Sequence, residues 1–516
     1  MVSRISRKII SSFYHPQQEC LSPLEMGAEL QQLHVAFFPF MAHGHMIPIL
    51  DIARLFVARG VKATIITTPL NVPVFTRAID KGGKKPGSTG INIEVFTLPV
   101  REAGLPEGCE NLDQAIAMGT APVLFKASEM LQDQLERFLE QTRPNCLVAD
   151  MFFTWATDSA DKFNVPRLVF HGISVFSLCA EEMVVLHEPH KNVSSDEEPL
   201  VLPYLPHEVK LTRLQLPDFV MNQENEFRNR LKKIKESELK SFGVLVNSFY
   251  ELEPDYAELY RKELGRRAWH IGPVSLCNRS IEDKAWRGKQ ASLDKHEWLN
   301  WLNLKKPNSV VYISFGSMAN VIAPQLHEIA LALEAAGQDF IWVVRNSDGQ
   351  EEEWLPQGFE QRMEGKGLII RGWAPQVLIL EHEALGAFVT HCGWNSTLEG
   401  ISAGVPMVTW PFFAEQFYNE KLVTHILKTG VSVGAKKWSR EPSLENVVKR
   451  DAIEKALREI MVGEEAEERR SRAKKLKEMA WKAVEEGGSS YFTSWDPYYF
   501  ISEKENAKKI EREQKA

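Results

Sequence analysis

A chain of 516 residues is too long for one ordinary core, and its 44% hydrophobic and 25% charged residues are those of a globular protein with two or more domains. A net charge of −8 lacks the basic footprint of a nucleic-acid binder, yet leaves room for a small anionic ligand at a local site. Six cysteines (Cys20, Cys109, Cys146, Cys179, Cys277 and Cys392) stand far apart with no CxxC pair, which fits a reducing compartment better than a disulfide framework or a zinc site. No run of about 18 apolar residues occurs, so no membrane span is expected and the protein should be soluble.

Residues 1–25 carry Arg4, Arg7, Lys8 and several serines with no acid before Glu19, features shared with organelle transit peptides. The segment is short and has no apolar stretch, so a disordered extension over 1–30 is expected, with Met26 an alternative start. The first ordered unit reads as βαβ. Leu33–Phe38 is a short apolar strand, Pro39–His45 a loop, Met46–Arg59 an apolar helix stopped by Gly60, and Val61–Thr68 a β-branched strand. Cys146–Ala149, ending at Asp150, and Arg167–Phe170 are further strands; residues 186–230, rich in Pro, His and acids, read as loops and short helices.

The alternation then restarts. Val310–Phe315 is a strand, Gly316–Ala323 a loop, Pro324–Ala336 a helix closed by Gly337, and Phe340–Arg345 a strand. Leu368–Arg371, Ala387–Thr390 and Met407–Trp410 continue the pattern with helices between. Alternating strands and helices imply right-handed parallel crossovers, so each half is expected to be a doubly wound α/β sheet. The polar segment 277–295 is the expected linker, and the two halves should face each other across a cleft.

In open α/β sheets, ligands sit outside the carboxyl ends of strands. His45 follows the first strand, and Asp150 ends another. A histidine there meets a substrate, and a carboxylate fixes its tautomer and stabilises the imidazolium. A lone histidine or a helix-capping aspartate serves a structural role as readily, so these residues alone leave both readings open. In Thr390–Glu399 a strand ends at His391, a turn passes Gly393, and a helix opens with Asn395 and Ser396. Free amides and the positive helix end make a diphosphate site, with His391, Asn395 and Ser396 as side-chain donors and Glu399 as an acceptor for ribose hydroxyls. A plain capped helix is the competing reading. Trp373 opens the turn Gly372-Trp-Ala-Pro-Gln376, where an indole stacks on a base and Gln376 reads its edge, or else simply fills a core.

Three other signals compete. Gly400-Ile-Ser402-Ala-Gly404 matches the GxSxG elbow of α/β hydrolases, but a helix precedes it and a strand follows, the reverse of the elbow. No GxGxxG opens either half, which weakens a dehydrogenase reading. His43-Gly-His45 has no HExxH or carboxylate companion to make it a metal site.

Residues 373–416, WAPQVLILEHEALGAFVTHCGWNSTLEGISAGVPMVTWPFFAEQ, resemble the signature box of plant secondary-product UDP-glycosyltransferases. FFPFMAHGHMIPILDIARLF and CLVADMFFTWATDSA resemble the same family, so the likeness covers roughly residues 30–490. The subgroup it looks most like glycosylates flavonoids, other phenolics and triterpenoid or steroid aglycones. The resemblance implies a GT-B fold of two Rossmann-like domains, an acceptor domain over 31–276 and a UDP-sugar domain over 296–490. By position it implies His45 as general base and Asp150 as its orienting carboxylate. Trp373 matches the residue that stacks on uracil, Ala374 and Gln376 those that contact uridine, and Glu399 the ribose ligand. His391, Asn395, Ser396 and Ser317 match diphosphate contacts, and Trp394, Glu415 and Gln416 match positions that touch the sugar.

The implied reaction is a single inverting displacement from UDP-glucose onto an acceptor hydroxyl. Glucose follows from Gln416, where a histidine resembles galactose users, and Trp394 stands where an arginine would resemble glucuronosyl transferases. No DxD motif occurs, in keeping with a family that needs no divalent metal or other cofactor. The resemblance implies a monomeric, cytoplasmic enzyme whose partners are a UDP-sugar and a small hydrophobic acceptor. After Tyr491 the chain departs from the family pattern: FTSWDPYYFISEKENAKKIEREQKA carries Pro497 where an amphipathic helix is usual, so 491–516 reads as an atypical tail. Two alternatives remain, a catalytically silent UDP-sugar-binding protein and a hydrolase using Ser402.

Overall fold

The computed structural model describes residues 32–80, 90–221, 225–289, 291–292, 295–345, 354–441 and 443–491. The expected extension over 1–30 and the tail after Tyr491, Pro497 included, lie outside the described residues. The first half contains β1 (His34–Phe38), β2 (Lys62–Thr67), β3 (Ile91–Val95), β4 (Cys146–Asp150), β5 (Arg167–Phe170), β6 (Leu200–Val201), β7 (Lys210–Leu211), β8 (Gly243–Val246) and β9 (Ala268–His270). The second contains β10 (Val310–Ser314), β11 (Asp339–Val344), β12 (Gly367–Arg371), β13 (Leu385–Thr390), β14 (Met407–Thr409) and β15 (Gly430–Ser432).

β6 and β7 pair as a small antiparallel hairpin. The other strands form two sheets in the orders β3-β2-β1-β4-β5-β8-β9 and β12-β11-β10-β13-β14-β15, parallel throughout. Both orders place the first strand of the unit third in the sheet and reverse direction beside it. Each half is therefore doubly wound, with one switch point between β1 and β4 and the other between β10 and β13. The strands read as continuous apolar runs because helices cover both faces. Ala36 and Phe38 of β1 enter one core cluster, Val35 and Phe37 the opposite one. Val311 and Ile313 likewise face away from Val310 and Tyr312 in β10.

Two local readings change. Helix His43–Val57 begins three residues ahead of the expected Met46, so His45 sits in its first turn rather than in a loop. Gly44 and two histidines are weak helix formers, and tertiary bonds to His43, Gly44 and His45 outweigh that propensity. The expected linker is also more than a solvated connection. It holds helix Ile281–Ala285, and the Arg287 side chain is only 10% exposed.

Near its end the chain returns to the first half. In helix Ala466–Val484, Trp481 donates its indole N–H to the Ser402 carbonyl. Ser489 then donates to Glu251 at 2.7 Å, and Arg59 both donates to the Tyr491 carbonyl and lies over its ring.

Candidate active site

The first switch point brings His45 and Asp150 together across 105 residues of chain. The imidazole Nδ1 lies 2.6 Å from Asp150 Oδ2, whose side chain is fully buried, while His45 keeps 19% of its side chain exposed. The other carboxylate oxygen accepts the Phe152 amide at 3.1 Å, which fixes the group at the strand end. Burial disfavours the charged ring, yet the charge and hydrogen bond of Asp150, with Glu415 adding, outweigh it and raise the His45 pKa above 6.5. With Asp150 Oδ2 accepting at Nδ1, Nε2 is the nitrogen left to carry the ring's lone pair. Phe40 and Phe152 flank the ring at 6.4 and 5.7 Å, and Phe125 stacks on Phe40 at 5.0 Å, an aromatic wall beside the imidazole.

The second switch point carries the anion-ready elements. Helix Trp394–Ala403 starts at Gly393, which has no side chain to cap the first turn; Glu415 accepts the Trp394 amide in its place. His391 packs between two glycines: a Cβ on Gly316 would stand 2.7 Å from its ring and one on Gly393 2.4 Å. Burial lowers the His391 pKa to about 4, so the ring is uncharged at neutral pH, and its Nδ1 has no partner among the described residues. Ser317 follows Gly316 in the loop after β10, its carbonyl accepting from Arg345. Cys392, with φ of 64°, bends the chain so that the helix starts directly after β13.

Around this terminus the remaining expected residues assemble. Gln376 donates from one nitrogen to Ser396 Oγ at 3.0 Å and to Glu399 Oε2 at 2.8 Å. Buried Ala374 precedes it, accepting the Gln376 amide at 2.8 Å. The Trp373 amide donates to the Ser292 hydroxyl at 2.8 Å and its carbonyl accepts the Ser292 amide at 2.9 Å, and its ring has His43 and Lys289 as neighbours. Glu415 accepts from the Trp394 amide at 3.3 Å and from Asn419 at 3.2 Å, and burial pushes its carboxyl pKa up. Gln416 commits its oxygen to the amides of Phe412 and Phe413, which leaves its NH2 end for other partners. The Trp394 indole points away into the core, donating to the Asn247 carbonyl at 2.7 Å, so this residue meets the site through its backbone.

One hydrogen bond joins the two switch points. Asn395 Nδ2 donates to the Gly44 carbonyl at 2.7 Å. That carbonyl is free because Pro48, four residues on in the same helix, has no N–H to give it.

The competing sites do not form. Ser402 lies inside helix Trp394–Ala403 with its hydroxyl donated to the Leu398 carbonyl at 2.7 Å, not on a strand-to-helix elbow. His43 pairs with Asp113, apart from the His45–Asp150 pair, and no cluster of three metal-ligating side chains occurs among the described residues. No described helix is long and apolar enough to cross a membrane.

Three features escaped the sequence. Asn419 takes the Ser174 and Ser177 hydroxyls on its oxygen, and its Nδ2 holds the Cys392 carbonyl, which ties the strained turn to the first half. The Gly44 acceptor was signalled only by Pro48. A pairing of Arg287 with Asp51 and Glu399 was signalled by Asp51, a lone acid in the run MIPILDIARLF.

Two doubly wound units, one presenting a carboxylate-paired histidine and the other a helix terminus opened by a glycine, make a GT-B glycosyltransferase fold. The chain matches the family described as UDP-glucoronosyl and UDP-glucosyl transferase over residues 121–462. It is 61% identical to the scopoletin glucosyltransferase of Nicotiana tabacum, across 89% of this chain and 96% of that protein. It is 57% identical to UDP-glucose flavonoid 3-O-glucosyltransferase 7 of Fragaria ananassa, across 89% and 94%. Among solved structures it resembles Glycyrrhiza uralensis UGT73P12 complexed with glycyrrhetinic acid 3-O-monoglucuronide, with a TM-score of 0.84, 41% identity and coverage of 94% and 99%. Phytolacca americana UGT2, complexed with UDP-2fluoro-glucose and pterostilbene, follows with a TM-score of 0.70, 26% identity and coverage of 90% and 98%. The chain belongs to the UDP-glucoronosyl and UDP-glucosyl transferase family and is a UDP-glycosyltransferase.

Proposed function

We propose that this enzyme transfers glucose from UDP-glucose to a hydroxyl of a small hydrophobic plant metabolite, with inversion and with His45 as the general base. The observation that carries this reading is the 2.6 Å His45–Asp150 pair, held beside the glycine-opened terminus of helix Trp394–Ala403. His45 Nε2 takes the acceptor proton as that oxygen bonds to the anomeric carbon. The bond from that carbon to the diphosphate breaks on the opposite face, and its electron pair leaves with UDP. Helix amides, His391, Asn395, Ser396 and Ser317 oppose the charge that grows on the diphosphate. These donors do the work that a divalent metal does elsewhere, so the reaction is expected to run without one. Trp373, Ala374 and Gln376 hold the uridine, Glu399 the ribose, and Trp394 (through its backbone), Glu415 and Gln416 the sugar.

A phenolic, flavonoid or triterpenoid acceptor is favoured by the aromatic wall of Phe40, Phe125 and Phe152 beside the base and by the acceptors named for the similar proteins. We take residues 31–276 as the acceptor domain, 277–295 as the linker and 296–490 as the donor domain of a cytoplasmic monomer. The test is UDP release by purified protein given UDP-glucose and a panel of such acceptors, with EDTA, and with His45→Ala. Release dependent on acceptor and on His45, and indifferent to EDTA, is expected; full activity of His45→Ala would overturn the mechanism.

A further inference from the structure

The linker between the two sheets closes over the nucleotide half of the site. Arg287 follows helix Ile281–Ala285, and its guanidinium spans two buried carboxylates. Nε donates to Asp51 Oδ2 at 2.7 Å, and Nη1 donates to Glu399 Oε1. Asp51 is 1% exposed, belongs to the helix that carries His45, and accepts from Asn278 Nδ2 at 2.8 Å on its other oxygen. Burial opposes the charge of Arg287, but Asp51 and Glu399 outweigh it, so the group is a fixed cation. The next residue, Gly288, has φ of +95°, and a Cβ there would stand 2.4 Å from the Trp373 ring. Ser292 then makes its two bonds to the Trp373 backbone.

We propose that Arg287 is a positioning residue of the donor site, which aims the Glu399 carboxylate at the ribose hydroxyls and ties it through Asp51 to the helix bearing His45. The proposal rests on the reading of Glu399 as the ribose ligand. A carboxylate offers about four lone-pair directions. Arg287 takes one on Oε1, and Gln376 takes one on Oε2 at 2.8 Å. One direction on each oxygen remains, which is what the vicinal 2′,3′-diol of ribose needs to donate twice. Without the guanidinium, Asp51 and Glu399 become buried carboxylates lacking their shared counter-ion. Rotation toward water then takes Glu399 out of register. Had Arg287 been a latch that blocks ribose, its loss would tighten nucleotide binding; a positioning role gives the opposite sign.

The experiment measures inhibition constants of UDP, 2′-deoxy-UDP and 3′-deoxy-UDP against UDP-glucose for the full chain, Arg287→Met, Arg287→Lys and Asp51→Asn. The unsubstituted enzyme is expected to bind the deoxy analogues about tenfold more weakly than UDP. Arg287→Met should weaken UDP about tenfold and the deoxy analogues less than about threefold, so the discrimination collapses, with the loss falling on KM for UDP-glucose more than on kcat. Arg287→Lys keeps the charge but not the fork and should lie between. If Arg287→Met does not fold, Asp51→Asn carries the same test with a smaller collapse, about threefold. Full discrimination retained in the variants, or tighter UDP binding, overturns the proposal. A lack of discrimination in the unsubstituted enzyme removes the ribose role of Glu399 and the proposal with it.

Discussion

Asp150→Asn isolates what the buried carboxylate does for His45. The substitution keeps size and the possibility of a hydrogen bond but removes a charge whose side chain is fully buried and 2.6 Å from Nδ1. Two losses follow. The imidazolium formed during proton transfer loses a charge-assisted partner, and such bonds are about twice as strong as neutral ones. The Asn amide can also donate to Nδ1, which moves the ring proton to Nε2, the nitrogen that must be free to act as base. Together these are worth about 2–4 kcal/mol of transition-state stabilisation, or roughly 30- to 1000-fold in kcat. KM for UDP-glucose should hardly move, because neither residue lies in the donor half. The pH profile adds an independent sign. His45 must be neutral to act, and Asp150 is among the groups that hold its pKa above 6.5, so activity rises with pH through that raised value. In the variant the acid limb should move to lower pH even as the plateau falls. Arg167 loses a nearby anion but keeps its bond to the Asp150 carbonyl, and circular dichroism would verify the fold. Initial rates of UDP release from pH 5 to 9 with one accepted phenol provide the assay. A variant within about threefold of the parent, with an unmoved acid limb, would refute the reasoning.

Gly393→Ala places a Cβ 2.4 Å from the His391 ring and should displace that donor, raising KM for UDP-glucose about tenfold or more while leaving the melting temperature within a few degrees; an unchanged KM would count against a diphosphate role for His391. Glu253 caps helix Val175–His187 through the amides of Val175 and Phe176, and burial pushes its pKa from 4.5 to about 7, despite the Ser248 hydroxyl and those amides. Its folded pKa is raised, so its contribution to stability is complete below pH 4.5 and is lost as pH rises through about 7. The melting temperature of Glu253→Gln, measured relative to the parent, should therefore climb between pH 5 and 8, and a flat difference would contradict the assignment.

Much of the sheet framework was legible because buried parallel strands read as apolar runs between turn signals. β5 has the expected bounds, and β4 differs only by including Asp150. The identities of His45, Asp150 and the 373–416 segment were legible too, but their contacts were not. Strand order decides that β1 and β4 are neighbours, and no local pattern encodes strand order. The start of helix His43–Val57 was misplaced because its first residues are held by Asp113, Asp150 and Asn395, all distant in sequence. Arg287 was passed over because a polar composition looks the same whether a segment is solvated or, as here, buries an ion pair. Likewise, nothing local distinguishes a tryptophan facing a sugar from Trp394, whose indole is spent on Asn247.

Proline inside a helix usually costs stability, and here that cost has a structural return. Pro48 removes the amide that would have closed the turn on the Gly44 carbonyl, and the ring also pushes that carbonyl outward. Asn395 takes the freed acceptor at 2.7 Å. Gly44 is bonded directly to His45, and Asn395 directly to Ser396, so this bond sets the separation between the proposed base and the proposed diphosphate site. Arg287 makes a second tie of the same kind one to two turns further along both helices, from Asp51 to Glu399. Two ties between the same pair of helices fix both their distance and their rotation, which one tie could not. An in-line displacement needs the attacking oxygen, the anomeric carbon and the departing diphosphate oxygen aligned, and misplacement by about 1 Å costs on the order of a hundredfold. Pro48 and Asn395 therefore belong to the proposed reaction geometry as much as to the fold, while Asp51 acts through Arg287 on Glu399.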